Sequence, residues 1–318
     1  MIKENRMIHY TAKNGEEIQF PFYLVEGKRS GPKVCITAGI HGCEYSSIIA
    51  AIKLYKTLNP IEVKGQIKII PIVNLPAFKN KTMFTCPIDN KNLNGSFPGS
   101  ENGLYSEQLV FKLFNNFIKG SDYYLDLHGG DLVENIVPLC FVHKSGNEVV
   151  DQRSKELAEN YGTGNIIFTT LDGSYPDRGF TYSYASENGI PAIQTEQGGI
   201  GQAVEQDILS HLNGLYNVLK FIGCLKGNLT PKNKINYFSK SPSVYSKYEG
   251  IFYPRCKLGD QVNEGDELGI LEDYLGNKIE VVKAPYSGKI MITNTSPAIK
   301  EKNALSERLG ELLVIAYN

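Results

Sequence analysis

Residues 33–58 read KVCITAGIHGCEYSSIIAAIKLYKTL and contain the two patterns that decide the fold. The short apolar run 33–38 predicts a buried strand that ends at Gly39. From Tyr45 onward, Ile48, Ile52 and Tyr55 recur at helical spacing, which predicts a helix over 45–58. A buried strand followed at once by such a helix is the repeating unit of an α/β sheet.

The same alternation of strands and helices continues to about residue 225. Further strands are predicted over 66–73, 123–127, 138–142, 166–169 and 191–195. Further helices are predicted over 106–118, 149–161 and 204–225. Pro71 indicates an irregular or edge position for the strand 66–73, and the Asn-, Pro- and Gly-rich residues 74–104 predict a long functional loop. Together these segments predict an α/β fold whose sheet has helices on both faces.

The pattern changes after residue 228, where a polar segment over 229–243 predicts a linker. Beyond it, over 244–318, short apolar segments alternate with turns, which predicts a small all-β sandwich domain. Residues 1–228 then form the larger, catalytic domain. The G-D-x-V-x-x-G-D-x-L pattern at 259–268 resembles biotinyl/lipoyl carriers, but their Met-Lys-Met or Asp-Lys-Ala hairpin is missing, so we expect no prosthetic group.

Composition and charge exclude several classes of protein. Of the 318 residues, 42% are hydrophobic and 21% are charged, which is typical of globular domains. The net charge of −1 provides no basic field for nucleic acid or anionic lipid, and no apolar run approaches the roughly 18 residues of a membrane span. The first ten residues are polar, unlike a signal peptide, and the six cysteines form no Cys-x-x-Cys pair. We therefore expect a cytoplasmic protein with no nucleic-acid or membrane partner.

Residues that can bind a metal or move a proton follow three of the predicted strands. The motifs are G-I-H-G-C-E at 39–44, D-L-H-G-G at 126–130 and T-E-Q-G-G at 195–199. In open α/β sheets, sites form at the carboxyl ends of the strands. We therefore expect one edge of the sheet to collect four side chains, those of His41, Glu44, His128 and Glu196.

Two histidines and one glutamate are a common catalytic zinc set that leaves a fourth position for water. Zinc lowers the pKa of that water towards about 7. The nearby carboxylate of Glu196 can take the proton of the water and pass it to a leaving amine. The pattern predicts one Zn²⁺ per chain and the hydrolysis of an amide or ester.

With the loop N-L-N-G-S-F-P-G at 92–99, these motifs resemble the succinylglutamate desuccinylase/aspartoacylase family, a branch of the zinc carboxypeptidase superfamily. The resemblance covers nearly the whole chain, because that family also appends a small β domain. It implies a zinc-carboxypeptidase-like sheet, with Glu196 as general base and Asn94 in contact with the substrate. It places Asn92 where an aspartate of the superfamily orients a zinc-bound histidine. The zinc ligands it implies are His41, Glu44 and His128.

Two positions depart from the family pattern. Gly95 stands where the family has the arginine that clamps the substrate carboxylate, and Met83 replaces a second arginine that helps to hold the oxyanion. Loss of an oxyanion donor typically lowers kcat about 10²–10³-fold. We therefore expect a substrate other than N-acyl-aspartate or succinylglutamate, a replacement cation, or low activity. Arg178 is the candidate replacement, and a surface turn arginine is its alternative interpretation.

The predicted function is that of a zinc-dependent amidohydrolase, a deacylase that cleaves a small N-acyl amide. The first alternative is a zinc carboxypeptidase acting on a peptide or a cell-wall fragment. The second is a non-catalytic descendant that keeps zinc as a binding centre. The sequence leaves open the acyl group, the amine and the oligomeric state, and no catalytic role is predicted for Asp126.

Overall fold

The structure, a computed structural model, describes residues 1–170, 179–230, 234–300 and 310–318. Its strands within these ranges are β1 (Ile2–Thr11), β2 (Glu17–Glu26), β3 (Arg29–Ala38), β4 (Lys64–Ile70), β5 (Tyr123–His128), β6 (Glu134–Ile136), β7 (Leu139–His143), β8 (Asn165–Thr169), β9 (Ala192–Glu196), β10 (Asn236–Phe238), β11 (Ser243–Tyr245), β12 (Gly250–Pro254), β13 (Gln261–Val262), β14 (Glu267–Glu272), β15 (Lys278–Lys283), β16 (Gly288–Asn294), β17 (Ala298–Ile299) and β18 (Glu311–Ala316). Its α-helices are α1 (Tyr45–Thr57), α2 (Leu75–Asn80), α3 (Tyr105–Leu113), α4 (Glu148–Tyr161), α5 (Thr181–Glu187) and α6 (Glu205–Phe221).

Nine strands form one mixed sheet in the order β1-β2-β4-β3-β5-β9-β7-β8-β10. Its central strands β4, β3, β5 and β9 run parallel to one another. One apolar core lies between the sheet and helices α1, α4 and α6, and a second core on the other face contains α3 and α5. The predicted α/β fold with helices on both faces is therefore confirmed.

Three local features differ from the prediction or were not foreseen by it. The prediction for the strand 66–73 is an irregular or edge position, and the edge position is wrong, because β4 lies between β2 and β3. Pro71 follows the last residue of β4, so no ladder hydrogen bond is lost. The hydrophobic pattern does not predict the hairpin of β1 and β2, because most side chains of β1 are exposed. The loop 74–104 contains the short helix α2, whose cap is formed by Asn74 Oδ1 accepting from the backbone N–H of Ala77 (3.2 Å).

The C-terminal part contains two antiparallel sheets, β11-β18-β16-β13 and β15-β14-β12-β17, around a small apolar core. The all-β character predicted for this part is confirmed. Two strands connect it with the rest of the chain: β6 pairs with β16, and β10, which lies in the predicted linker, pairs with β8. The proposed domain boundaries at 228 and 243 stay a prediction. Among the described residues, no helix is both long enough and apolar enough to cross a membrane.

Candidate active site

The first two candidate ligands lie on the turn that joins β3 to α1. At the end of β3 the backbone φ is +66° at Gly39, a left-handed conformation that glycine adopts without strain. Gly42 lies against α2, and a Cβ there would be 2.2 Å from the backbone nitrogen of Phe78. The turn therefore depends on both glycines, and it holds His41 and Glu44 buried at the start of α1.

Parallel pairing brings the other two candidate residues to the same edge of the sheet. Ala38 at the end of β3 lies opposite Leu127 of β5, and His128 at the end of β5 lies opposite Glu196 of β9. Because the three strands run in one direction and end at nearly the same level, the residues at their ends are close in space. The structure thus gathers the four side chains that the sequence predicted at this edge.

His41, Glu44 and His128 form a compact buried cluster. Glu44 Oε1 lies 2.7 Å from His41 Nδ1, and its other oxygen, Oε2, lies 3.0 Å from His128 Nδ1. One potential ligand atom from each residue lies within 4.8 Å of the others. Two imidazole nitrogens and one carboxylate oxygen at such separations are the donor set of many catalytic zinc sites. The cluster could therefore hold one metal ion.

The far nitrogens of both imidazoles have partners that fix the rings. Asn92 Oδ1 lies 3.0 Å from His41 Nε2, so the Nε2–H donates to it. Asp126 Oδ2 lies 3.2 Å from His128 Nε2 and holds the second ring in the same way. With Nε2 protonated, Nδ1 of each ring, which faces Glu44, is the atom that would bind a metal. The contact of Asp126 was not predicted, although its position two residues before His128 on a strand places both side chains on one face.

The charges of the cluster favour a cation. Burial opposes the ionisation of Glu44, but His128 and His41 outweigh it and lower its pKa to about 2. Burial also opposes a charge on His128, yet Glu44 and Asp126 raise its pKa well above the ordinary value. A site that stabilises a proton on a buried imidazole in this way can equally stabilise a divalent cation beside it. The protein groups therefore fit a bound divalent metal ion.

Glu196 stands beside the cluster as a buried carboxylate. Its Oε1 accepts a hydrogen bond from Gln194 Nε2 (2.8 Å), and its Oε2 has no hydrogen-bond partner among the described residues. Burial raises the pKa of Glu196 well above the usual value, His128 and the amide of Gln194 lower it, and Glu44 raises it further. A carboxylate with a raised pKa and a free oxygen has the properties of a general base.

Asn94 supports Glu196 through Gln194. The Asn94 amide Nδ2 donates to Gln194 Oε1 (3.1 Å), and its Oδ1 accepts from the backbone N–H of Thr181 (3.2 Å). Asn94 also lines the pocket, where the resemblance placed a substrate contact. Gln194 was not foreseen by the sequence analysis, although it lies two residues before Glu196 and so on the same face of β9.

The two positions that lack family arginines differ in their surroundings. Gly95 has open space around it: a Cβ there would meet no atom closer than the backbone oxygen of Asn92 at 3.9 Å. Met83 is half-buried in the loop before Phe84. Arg178, the proposed replacement, lies outside the described residues. Its chain neighbour Gly179 packs against Gly95, because a Cβ at Gly179 would lie 2.7 Å from the Gly95 backbone oxygen.

The site opens into a small cavity. Its polar lining residues are His41, Glu44, Asn94, Glu134, Gln194 and Glu196. The apolar lining residues are Phe84, Ile136, Phe141 and Ile292.

Comparisons with known proteins place the chain in a family. Residues 30–222, more than half of the chain, match the model of the succinylglutamate desuccinylase/aspartoacylase catalytic domain. A curated relative, the N-alpha-acetyl-L-2,4-diaminobutyric acid deacetylase of Halomonas elongata, is 28% identical over 271 residues, which cover 84% of this chain and 78% of that protein.

Solved structures share the fold along the whole chain. The product-bound ectoine utilization protein EutE (DoeB) from Ruegeria pomeroyi superimposes with a TM-score of 0.87 at 23% identity, covering 100% of this chain and 95% of that one. A succinylglutamate desuccinylase/aspartoacylase from Rhodobacter sphaeroides gives a TM-score of 0.86 at 22% identity, with 99% and 96% covered. The sequence match over the catalytic region, supported by this shared fold, shows that the chain belongs to the succinylglutamate desuccinylase/aspartoacylase family.

Proposed function

We propose that this protein is a cytoplasmic, zinc-dependent deacylase that hydrolyses the amide bond of a small N-acyl compound. One observation carries the proposal: His41 and Glu44 of the His41–Glu44–His128 cluster line one small cavity together with Glu196, whose buried Oε2 has no hydrogen-bond partner among the described residues. The Halomonas relative is a deacetylase of an N-acetylated diamino acid. Its name makes an N-acetylated amino acid with a free amine our first candidate substrate.

The residues divide the chemistry between them. A zinc ion bound by His41, Glu44 and His128 would polarise the amide carbonyl and lower the pKa of a water molecule. Glu196 Oε2 takes one proton from the attacking water as the new C–O bond forms. It then delivers that proton to the amine nitrogen as the C–N bond breaks, so that one carboxylate and one amine leave. The hydrogen bond from Gln194 Nε2 to Oε1 holds the same carboxylate in place and leaves Oε2 available for proton transfer.

We further propose that Arg178 supplies the cation that Gly95 and Met83 lack. The support is the position of its neighbour: Gly179 accepts a hydrogen bond from the Phe97 backbone N–H (3.1 Å) and packs against Gly95. Arg178 directly precedes Gly179 in the sequence. A guanidinium there would bind the carboxylate of an amino-acid substrate in bidentate fashion.

The proposed function is tested with N-alpha-acetyl-2,4-diaminobutyrate, its C-terminal amide and a set of N-acetyl amino acids. We expect acetate release from at least one of them with a kcat of about 1 s⁻¹ or more. Cleavage of dipeptides that requires their free terminal carboxylate would favour the carboxypeptidase alternative. A zinc-loaded protein that releases acetate from none of these compounds would favour the non-catalytic descendant.

The hydrogen bond from Gln194 to Glu196 predicts a pH effect. The amide N–H stabilises the ionised carboxylate, so Gln194→Leu should raise the pKa of Glu196 further and shift the acid limb of the kcat/KM profile to higher pH. Activity near pH 6 should therefore fall more than activity near pH 9. The readout is the pH profile of kcat/KM for both proteins.

Gln197→Leu is the matched control for this prediction. Gln197 is a buried glutamine next to Glu196, but its side chain accepts a hydrogen bond from Ser210 Oγ instead of contacting the carboxylate. The control should leave the acid limb in place. An equal loss of activity at every pH in Gln194→Leu would show that this glutamine acts on the packing of the site and leaves the proton affinity of Glu196 unchanged.

A further inference from the structure

A β-bulge in the C-terminal part changes the direction of one side chain. In the pairing of β16 with β18, Ile290 lies opposite Ile315 and Ile292 lies opposite Val314. The two residues on β16 are separated by Met291, whereas their partners on β18 are adjacent. Met291 is therefore an extra residue in β16, as in a β-bulge, and such bulges often redirect side chains next to active sites.

The bulge separates two residues that a regular strand would place on one face. Ile290 packs in the small core of the C-terminal part, whereas Met291 and Ile292 pack in the core of the large sheet. Without the extra residue, Ile290 and Ile292 would share a face because side chains alternate with a period of two. Because of the bulge, the Ile292 side chain packs in the core of the large sheet instead of the small core of the C-terminal part.

Ile292 is one of the apolar residues that line the active-site cavity. It pairs with Ile136 of β6, and these two residues line the cavity together with Phe141 and Phe84. All four side chains are at least nine-tenths buried, so the packing around them holds them in place as an apolar wall of the cavity. The polar side chains that also line the cavity are those of His41, Glu44, Asn94, Gln194, Glu196 and the buried Glu134, which lies two residues before Ile136 on β6.

We propose that Ile292 limits the length of the acyl group that the enzyme accepts, an inference that rests on the deacylase function proposed above. The scissile amide must lie beside the metal cluster and Glu196. If the charged amino-acid part of the substrate lay against the four apolar side chains, it would lose its hydration and gain no hydrogen bonds from them. The alkyl part of the acyl group gains by contact with the same wall. A wall closed by a buried isoleucine therefore selects a short alkyl chain.

The test uses hydroxamates, whose two oxygens bind zinc and whose alkyl chain takes the place of the acyl chain. Zinc-loaded wild-type protein is titrated by calorimetry with acetohydroxamate, butyrohydroxamate and hexanohydroxamate. We expect the wild type to bind the acetyl compound at least about 10-fold more tightly than the hexanoyl compound. Ile292→Ala should strengthen binding of the hexanoyl compound by about 10-fold or more, and Ile292→Val, which removes only one methyl group, should give an intermediate change.

Ile290→Ala is the matched control, because it truncates a buried isoleucine of the same strand that faces the small core. It should keep the wild-type preference for chain length. An unchanged preference in both Ile292 variants would overturn the proposal, and so would an equal shift in Ile290→Ala or a wild type that binds no hydroxamate. Ile292→Val preserves the test if the alanine variant does not fold.

Hydrolysis of N-acetyl, N-butyryl and N-hexanoyl amides by the same proteins separates this inference from the function itself. Hydroxamate binding that follows the expected pattern without hydrolysis of any amide would support the role of Ile292 in the cavity and contradict the deacylase function. Hydrolysis with the same chain-length profile in wild type and Ile292→Ala would leave the function standing and overturn the inference.

Discussion

Replacement of Glu196 by glutamine should lower kcat by about 10²–10⁴-fold while the metal content stays that of the wild type. The substitution keeps the size of the side chain, and an amide oxygen at this position can still accept the hydrogen bond from Gln194. What it removes is the ability to take a proton from the attacking water. The expected result is thus a fall in kcat with little change in KM, measured by steady-state acetate release alongside elemental analysis.

Glu187→Gln provides the control for this variant. Glu187 lies 3.4 Å from the buried His143, is not among the residues that line the cavity, and its loss of charge should leave kcat unchanged. Full activity of Glu196→Gln on an identified substrate would contradict the role of general base. Loss of zinc together with activity would instead assign Glu196 to the metal site.

Replacement of His128 by alanine should abolish metal binding and reduce activity to the background. Protein purified without a chelator or a His-tag should contain about one zinc per chain, whereas the variant should contain almost none. The change removes one of three ligands and also leaves the buried carboxylates of Glu44 and Asp126 without the imidazole between them. Breaking such a buried pair typically destabilises a protein by about 3–5 kcal/mol.

Elemental analysis and urea unfolding of the same samples separate these two effects. His143→Ala is the control, because His143 is also a fully buried histidine beside a carboxylate but lies outside the cluster. It should keep its zinc even if its stability falls. A His128→Ala protein with the wild-type zinc content would place the metal elsewhere, and a wild type that acquires no zinc when zinc is added would remove the proposed mechanism.

The sequence was sufficient for the order of the central elements because their signals are local. Residues 33–58 contain a buried strand, a glycine turn and a helix with apolar side chains at helical spacing, and the structure has β3 and α1 there. The meeting of His41, Glu44, His128 and Glu196 could also be predicted, since parallel strands present their carboxyl ends at one edge. The alternation of side chains along a strand could also have predicted the contact of Asp126 with His128 and that of Gln194 with Glu196.

Other features depend on contacts between distant parts of the chain. Which imidazole nitrogen faces a metal depends on Asn92 and Asp126, and the position of Asn92 depends on a loop without periodicity. The direction of Ile292 depends on the register of β16 against β18 and β6, because one extra residue reverses the alternation. The hydrophobic pattern and the order of strands and helices along the chain follow from neighbouring residues, so the sequence alone determined them. Register, ring orientation and the wall of the cavity were decided only by tertiary structure, because they follow from the pairing of segments far apart in the chain.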